Sequence, residues 1–190
     1  MDIRQDGAER PLPDLKGEAL RWRAMTPRDL DGVTAVARLS FPDHPEDYAC
    51  FANRLALNPD GCFVLAGEAT DKARGEDAPV RGYLVAYPWR RNAAPPLNTL
   101  IEALPAGADV VYLHDLALHP AARGGGHTRP IIERLAEQSK AAGWPAIALV
   151  AVNEATAFWG RHGFEVQNPP GMAEKLASYG DDARYMIRTL

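Results

Sequence analysis

Three consecutive glycines at residues 124–126 place the strongest constraint on how this chain can fold. The apolar segment 113–118 before them is typical of a strand, and a helical pattern with Ile131, Ile132 and Leu135 follows at once. Glycines leave their amides open to an anion, and a helix start adds free N–H groups and a positive dipole end. The order therefore predicts a phosphate-binding cradle, although an ordinary glycine-rich turn has the same local sequence.

The spacing of these glycines excludes two common nucleotide motifs. A P-loop needs a lysine after its last glycine, and none follows Gly126; a dinucleotide fingerprint counted from Gly124 reaches Arg129 where its last glycine should be. The pattern that remains resembles [QR]-x-x-G-x-[GA], the pyrophosphate-binding motif of the GNAT superfamily of N-acetyltransferases. Its residues here are Arg123, Gly124, Gly125, Gly126, His127 and Thr128, with Thr128 in place of a small residue.

A second segment with the same resemblance lies downstream. Residues 153–164 are similar to the superfamily pattern N-x-x-A-x-x-[LF]-Y-x-x-x-G-F when they are aligned on Gly163 and Phe164. Ala155 and Phe158 then match, and Gly163 is expected to end a helix in the left-handed conformation. Two separate motifs at the expected distance indicate the superfamily far more strongly than the glycines alone.

This second segment departs from the superfamily pattern at two positions. The asparagine that binds the pantetheine arm falls on Val152, so Asn153 takes that role only by a one-residue shift. Trp159 replaces the tyrosine that protonates the leaving thiolate, and an indole N–H is a donor that cannot serve as an acid. Tyr179 and Tyr185 are alternative acids between which the sequence does not decide.

Residues 113–119 resemble the corresponding strand of the arylalkylamine (serotonin-type) branch, which carries two histidines two residues apart. His114 matches the second histidine, and Tyr112 occupies the place of the first. An alkylamine with a pKa near ~10 is only about 0.1% neutral at pH 7, so acetyl transfer benefits from a proton acceptor. His114 and Tyr112 are therefore the predicted catalytic residues, and a structural histidine is the alternative reading.

Strand alternation makes a further prediction about this segment. It puts Tyr112 and His114 on one face and Asp115 on the other unless a bulge intervenes, so Asp115 is expected to be structural. The resemblance implies acetyl-CoA as cosubstrate, with its thioester along the backbone of a strand that splays from its neighbour. The predicted coenzyme contacts are Leu116, Ala117, Leu118, Arg123, Gly124, Gly125, Gly126, His127, Thr128, Asn153 and Phe158.

The predicted order of elements, β-α-α-β-β-β-α-β-α-β-β, indicates an α/β fold. The resemblance implies the GNAT fold, a mixed and mostly antiparallel sheet with a splayed strand pair, flanked by about four helices. Residues 1–18 are predicted to be a flexible tail, and residues 19–190 a single acetyltransferase domain. The proline-containing segment 92–109 is long enough to suggest a functional loop, and 168–183 is expected to cover the site.

The composition limits the classes of partner that the protein is expected to bind. A formal net charge of −4 without a basic stripe argues against nucleic acid, and residues 1–18 lack the apolar run of a signal peptide or membrane span. Two isolated cysteines suit a reducing cytoplasm, and no Cys/His spacing predicts a metal. His119, His127 and His162 are interpreted as structural or close to phosphate. The chain does not decide between a monomer and a homodimer.

The sequence thus predicts a cytoplasmic N-acetyltransferase for the primary amine of a small molecule, acting by direct attack. A protein or peptide N-terminal acetyltransferase is the first alternative, and its open groove would require segment 92–109 to be displaced. A catalytically idle acyl-CoA-binding module is the second. The acidic cluster Asp43, His44, Glu46 and Asp47 is interpreted as favourable charge at a helix start, with recognition of a cationic amine as the alternative.

Overall fold

The computed structural model describes residues 19–42, 46–67 and 78–190. The tail predicted at 1–18, and Asp43 and His44, lie outside these residues. Within them the chain forms seven strands and five α-helices. The strands are β1 Arg21–Ala24, β2 Cys62–Ala66, β3 Val80–Trp89, β4 Val110–Leu118, β5 Ala146–Ala151, β6 Glu165–Val166 and β7 Arg184–Thr189. The helices are α1 Leu30–Ser40, α2 Tyr48–Leu57, α3 Thr128–Ala141, α4 Thr156–Gly160 and α5 Ala173–Ala177.

The strands form one sheet in the order β1-β2-β3-β4-β5-β7-β6, antiparallel at every pair except β4 and β5. The predicted GNAT fold is confirmed. One core lies on the α1 and α2 face, with Val33 and Phe51 fully buried, and a second core lies under α3, with Ile131 and Ile132. The structure has five helices where about four were expected, because the short α5 forms within segment 168–183. At five residues, α5 is too short to give a recognisable helical pattern in the sequence.

The predicted splayed pair is β4 and β5. These parallel strands are paired only at Val111 with Ile147 and at Tyr112 with Ala148. Beyond Tyr112, β4 continues to Leu118 along β3 alone, as far as the described residues show. The separation leaves backbone groups of β4 facing an opening in the sheet, at the end of β4 that leads into the glycine loop.

A bulge in β4 changes the direction of the side chains at this opening. Val85 of β3 is opposite Asp115 and Ala86 is opposite Leu113, so His114 is an extra residue on β4. Before the bulge, even-numbered residues face the α1 and α2 core, and after it Ala117 does. His114 and Asp115 therefore both point to that face. The expectation that Asp115 faces away from His114 is wrong, because the bulge interrupts the alternation.

Candidate active site

A cavity of about 530 Å³ lies at the opening between β4 and β5. His114, Asp115 and Leu116 of β4 line its middle. One end is walled by α1, the segment after it and segment 92–109, which contribute Ala37, Phe41, Pro42 and Leu97. The opposite end is walled by β5, the turn after it and α4, which contribute Leu149, Val150, Asn153, Phe158 and Trp159. The cavity thus connects the splayed strands to a pocket under segment 92–109.

His114 is held by a buried carboxylate. Its Nε2 lies 2.7 Å from Oε2 of Glu46, and the two side chains are only 4% and 6% exposed. Its Nδ1 is buried and has no hydrogen-bond partner among the described residues. Glu46 was expected to act as a helix-start charge, but α2 begins at Tyr48 and it is Asp47 that occupies the N-cap position. The carboxylate of Glu46 instead faces the cavity.

Glu46 has two further partners. Its Oε1 accepts the backbone N–H of Asn98 at 3.0 Å and lies 3.9 Å from Nη2 of Arg54. Burial by itself would raise the pKa of the Glu46 carboxyl, but His114, Arg54 and the Asn98 amide together hold that pKa below its usual value. The side chain therefore stays ionised through the neutral range, in a position where solvent contributes little.

Tyrosines surround the His114 ring. The ring centroids of Tyr112 and Tyr87 lie 6.2 Å and 5.6 Å from that of His114. Burial raises the pKa of Tyr112 well above its ordinary value, and it raises the pKa of Tyr179 to about 12. Tyr112 and Tyr179 line the cavity, whereas the Tyr185 hydroxyl accepts the N–H of Asn92 away from it. Of the two tyrosines suggested as replacement acids, Tyr179 is the one at the site.

Asp115 forms a second hydrogen-bonded pair beside His114. The Tyr83 hydroxyl donates to the Asp115 carboxylate. Burial raises the pKa of Asp115 to about 7, although the neighbouring His114 opposes this shift. Asp115 thus changes its charge near neutral pH within the cavity, a property that the sequence pattern did not indicate.

The glycine loop has the geometry that an anion cradle requires. Gly124 and Gly126 have φ values of 80° and 73°, and no atom lies within 4 Å of a Cβ built at either residue. A Cβ at Gly125 would lie 2.5 Å from the His127 ring, so a side chain there would require that ring to move. The loop leads directly into the 14-residue helix α3, whose first residue is Thr128. Exposed amides and a helix start therefore fit a pyrophosphate.

The other predicted coenzyme residues lie in two places. Leu116, Asn153 and Phe158 line the cavity, whereas Ala117 and Leu118 pair with β3 beyond it. Arg123 and the glycine loop lie past the end of β4, outside the cavity wall. The Arg123 Nε donates to the carbonyl of Leu118 at 3.2 Å, and Trp22 Nε1 donates to the carbonyl of His127 at 2.7 Å. These bonds fix the loop between β4 and β1.

His119, His127 and His162 lie outside the cavity wall. The His119 Nδ1 accepts the N–H of Ala121 in the turn before the glycine loop, and His162 packs on Phe158 at 4.8 Å between ring centroids. No cluster of three or more His, Cys, Asp or Glu that could hold a metal occurs in 19–42, 46–67 or 78–190. In the same ranges, no helix is both long and apolar enough to cross a membrane.

Sequence reasoning missed the contact between Glu46 and His114. The two residues are 68 positions apart, and the segment before α2 has no pattern that points to β4. It also missed how segment 92–109 is attached to α2 and to Glu46 just before it, because those bonds join residues 45 to 52 positions apart. The sequence offered only two separate hints: an acidic cluster that contains Glu46, and the long segment 92–109.

Comparison with known proteins agrees with this geometry. Residues 22–164 match the acetyltransferase (GNAT) family. One similar solved structure is the GphF GNAT-like decarboxylase in complex with isobutyryl-CoA, with a TM-score of 0.68 and 17% identity over 89% of this chain and 98% of that one. A second is Ard1 from Thermoplasma volcanium, with a TM-score of 0.65 and 14% identity over 90% of this chain and 98% of that one. A third is the ribosomal-protein-S18-alanine N-acetyltransferase from Escherichia coli, with a TM-score of 0.57 and 13% identity over 90% of this chain and 94% of that one.

No significant match was found among curated protein sequences. The structural similarities, all below 25% identity, concern the fold, and the family match covers most of the chain. The superfamily resemblance drawn from the two motifs is confirmed, whereas the arylalkylamine branch is not specifically supported. The chain belongs to the GNAT family and is an acetyl-CoA-dependent N-acetyltransferase.

Proposed function

We propose that the protein acetylates the primary amine of a small molecule, as the arylalkylamine branch does, with His114 as the proton acceptor. The observation that carries this proposal is the attachment of segment 92–109 over the acceptor end of the cavity. A protein N-terminal acetyltransferase needs an open groove for a peptide chain. Here the same region is a fixed wall, so the acceptor end is suited to a compact substrate.

Hydrogen bonds at both faces hold this wall in place. Asn53 donates to the carbonyl of Ile101 at 3.0 Å and accepts its N–H at 2.9 Å, and Arg54 donates to the carbonyl of Thr99 at 2.7 Å. On the other side, the Tyr179 hydroxyl donates to the carbonyl of Pro95. Displacing the segment would leave several of these buried groups without partners, at about 1–3 kcal/mol each.

The chemistry of the acceptor end suits an amine with an apolar body. Phe41, Pro42 and Leu97 supply apolar surface, while Glu46 and Asp115 supply carboxylates beside His114. Carboxylates attract the ammonium form in which the amine arrives, and the apolar wall accommodates an aromatic or aliphatic substituent. Their combination in one cavity supports an arylalkylamine or a similar small amine.

In the proposed reaction, the bound ammonium gives one proton to His114. The neutral nitrogen then attacks the thioester carbonyl carbon, the carbon–sulfur bond breaks, and the sulfur leaves with the electron pair. The nitrogen loses a second proton as the amide forms. One of the two protons ends on the coenzyme thiolate and the other in solvent. Backbone groups of β4 at Leu116, where the sheet is open, are positioned to polarise the carbonyl.

The residues fit the coenzyme on structural grounds. The open glycine loop at the start of α3 would hold the pyrophosphate through backbone amides, and the β4 edge would hold the pantetheine arm beside Asn153 and Phe158. When bound, acetyl-CoA supplies the activated acetyl group. Asn153 has a φ of 53°, which turns the backbone sharply where β5 ends at the cavity.

A competition between substrate classes tests the proposal. Thiol release from acetyl-CoA would be measured with a panel of arylalkylamines and alkylamines, and with short peptides that have free N-termini. We expect kcat/KM to be about 100-fold higher for the best amine than for the best peptide, equivalent to ~2.7 kcal/mol. A preference for peptides would overturn the proposal and favour a protein N-terminal acetyltransferase. The similar Escherichia coli enzyme is named for acetylating a ribosomal protein at alanine. Acetyl-CoA binding without turnover of any acceptor would instead indicate the idle module.

A further inference from the structure

We propose that Glu46 is the positioning residue of His114: it accepts a hydrogen bond from Nε2–H, which makes Nδ1 the atom that receives the proton of the amine. The inference rests on the proposed function, since it assigns the working atom of the same base. Its first support is the 2.7 Å contact between Nε2 and Oε2 of Glu46, formed by two side chains that are almost fully buried.

The carboxylate of Glu46 is itself fixed on several sides. Its other oxygen accepts the N–H of Asn98 from segment 92–109 and faces Arg54 of α2. Arg54 is in turn anchored by Asn53 Oδ1 at 2.7 Å and by the carbonyl of Thr99. A carboxylate held this way fixes the plane of the imidazole that it contacts, so β4, α2 and segment 92–109 together orient one ring.

The tautomer follows from the chemistry of the pair. An ionised carboxylate only accepts hydrogen bonds, so the contact with Glu46 requires a hydrogen on Nε2 of His114. A neutral imidazole carries one N–H, which leaves the lone pair on Nδ1. That atom is buried, with no partner among the described residues, in a side chain that lines the cavity. The imidazolium formed by proton uptake is then stabilised by the negative charge of Glu46.

Other groups around the ring do not offer this arrangement. Titratable or charged groups face it from every side: Glu46 before α2, Arg54 of α2, Tyr87 of β3, Tyr112 and Asp115 of β4, and Tyr179 after α5. Of these, Asp115 is the other carboxylate, and its bond is to Tyr83. The geometry therefore assigns the orienting role to Glu46 and leaves Asp115 free to respond to the substrate.

Nitrogen NMR on the unmodified protein tests the tautomer without any activity measurement. Two-bond ¹⁵N–¹H correlations of the uniformly labelled chain, at a pH where His114 is neutral, distinguish a protonated Nε2 from a protonated Nδ1. The spectrum of His114→Ala identifies the signal. We expect His114 in the Nε2–H form, and a dominant Nδ1–H form would overturn the proposal.

A matched pair of variants tests the positioning role. Glu46→Gln removes the negative charge but keeps the shape of the side chain. Asp47→Asn is the control, because the carboxylate of Asp47 accepts a hydrogen bond from the Asn98 side chain at 3.2 Å and does not contact His114. We expect Glu46→Gln to lower kcat by roughly 10- to 100-fold, by analogy with the carboxylates that orient a working histidine in metal sites. The acidic limb of its kcat profile should move to lower pH, because the imidazolium has lost its carboxylate. Asp47→Asn should change neither by more than about twofold.

Failure of this inference can be separated from failure of the proposed function. If His114→Ala loses activity while Glu46→Gln keeps the wild-type kcat and pH profile, His114 is the base and Glu46 does not position it. If His114→Ala remains fully active, the proposed base itself is wrong. If Glu46→Gln binds acetyl-CoA within about twofold of wild type, the variant is folded. The NMR experiment uses the unmodified protein, so its result is valid even if Glu46→Gln does not fold.

Discussion

The two ends of the cavity are built in different ways. The coenzyme side uses continuous stretches of chain: β4 follows the cavity and leads, beyond its wall, into the glycine loop and the start of α3, all within residues 110–141, and 153–158 forms the other wall. The acceptor end uses contacts between distant residues, such as Glu46 with His114 and Asn98 with Glu46, which are 68 and 52 positions apart.

The difference follows from what each end has to recognise. A pyrophosphate is bound by backbone amides and a helix dipole, so the sequence needs only glycines at the correct spacing before a helix. An amine and its proton are handled by side chains, whose positions depend on how separate elements pack. The coenzyme end can therefore be read from a motif, whereas the acceptor end exists only in the folded chain.

Replacing His114 by alanine should have the largest effect and should separate the two ends. We expect kcat to fall by roughly 10², the contribution of a positioned general base, while the Kd of acetyl-CoA stays within about twofold. Steady-state kinetics with the best amine and calorimetry with the coenzyme measure the two quantities. Tyr112→Phe is the comparison variant, with a smaller loss expected because its hydroxyl could only relay the proton. A parallel loss of coenzyme affinity in His114→Ala would show that the two ends are not independent.

The pH dependence of stability tests the bulge at Asp115. The pKa of this carboxyl is about 7 in the folded protein, above its unfolded value near ~3.9, so the folded state binds the extra proton between these values. Its contribution to stability is therefore complete below about pH 4 and is lost as pH rises towards 7. Between pH 5 and 7 the loss amounts to about 2 kcal/mol.

Asp115→Asn removes that titration. Denaturant unfolding of both proteins from pH 5 to 8 should show the wild type losing about 2 kcal/mol relative to the variant as pH rises. Groups elsewhere in the chain contribute equally to the two curves. Parallel curves would mean that the Asp115 carboxyl does not carry the raised pKa in the folded protein.

Gly126→Asp tests the coenzyme end. The substitution places a carboxylate and a Cβ on the open side of the loop, so we expect the Kd of acetyl-CoA to rise at least about tenfold, or ~1.4 kcal/mol. Gly143→Asp is the matched control: Gly143 also has a positive φ, 82°, and equally open space, but it follows the far end of α3. Equal coenzyme affinity in the two variants would contradict the assignment of the cradle.

These positions also show how far sequence alone can reach. The motif around Gly126 and the helix end at Gly163, with a φ of 81°, are local and could be predicted. The splayed strands follow from the family resemblance. The direction of Asp115 could not be predicted, because the bulge is set by the pairing of β4 with β3. Nor could Glu46 be assigned, since a buried carboxylate acquires its partners only when α2 and segment 92–109 pack around it.

Asn53→Ala should have the smallest effect and sharpens the description of the acceptor end. The side-chain amide of Asn53 makes both hydrogen bonds to the backbone of Ile101 and also accepts one from Arg54, so its removal loosens segment 92–109 and reaches His114 only indirectly, through Arg54 and Glu46. We expect the amine KM to rise about threefold and the free energy of unfolding to fall by ~1–2 kcal/mol, with the acetyl-CoA Kd unchanged. Kinetics on both a small amine and a short peptide measure the outcome. If the loosened wall instead improves turnover of the peptide, the attachment of segment 92–109 is the feature that excludes peptides, and substrate class in this chain is determined by two hydrogen bonds far from the reacting atoms.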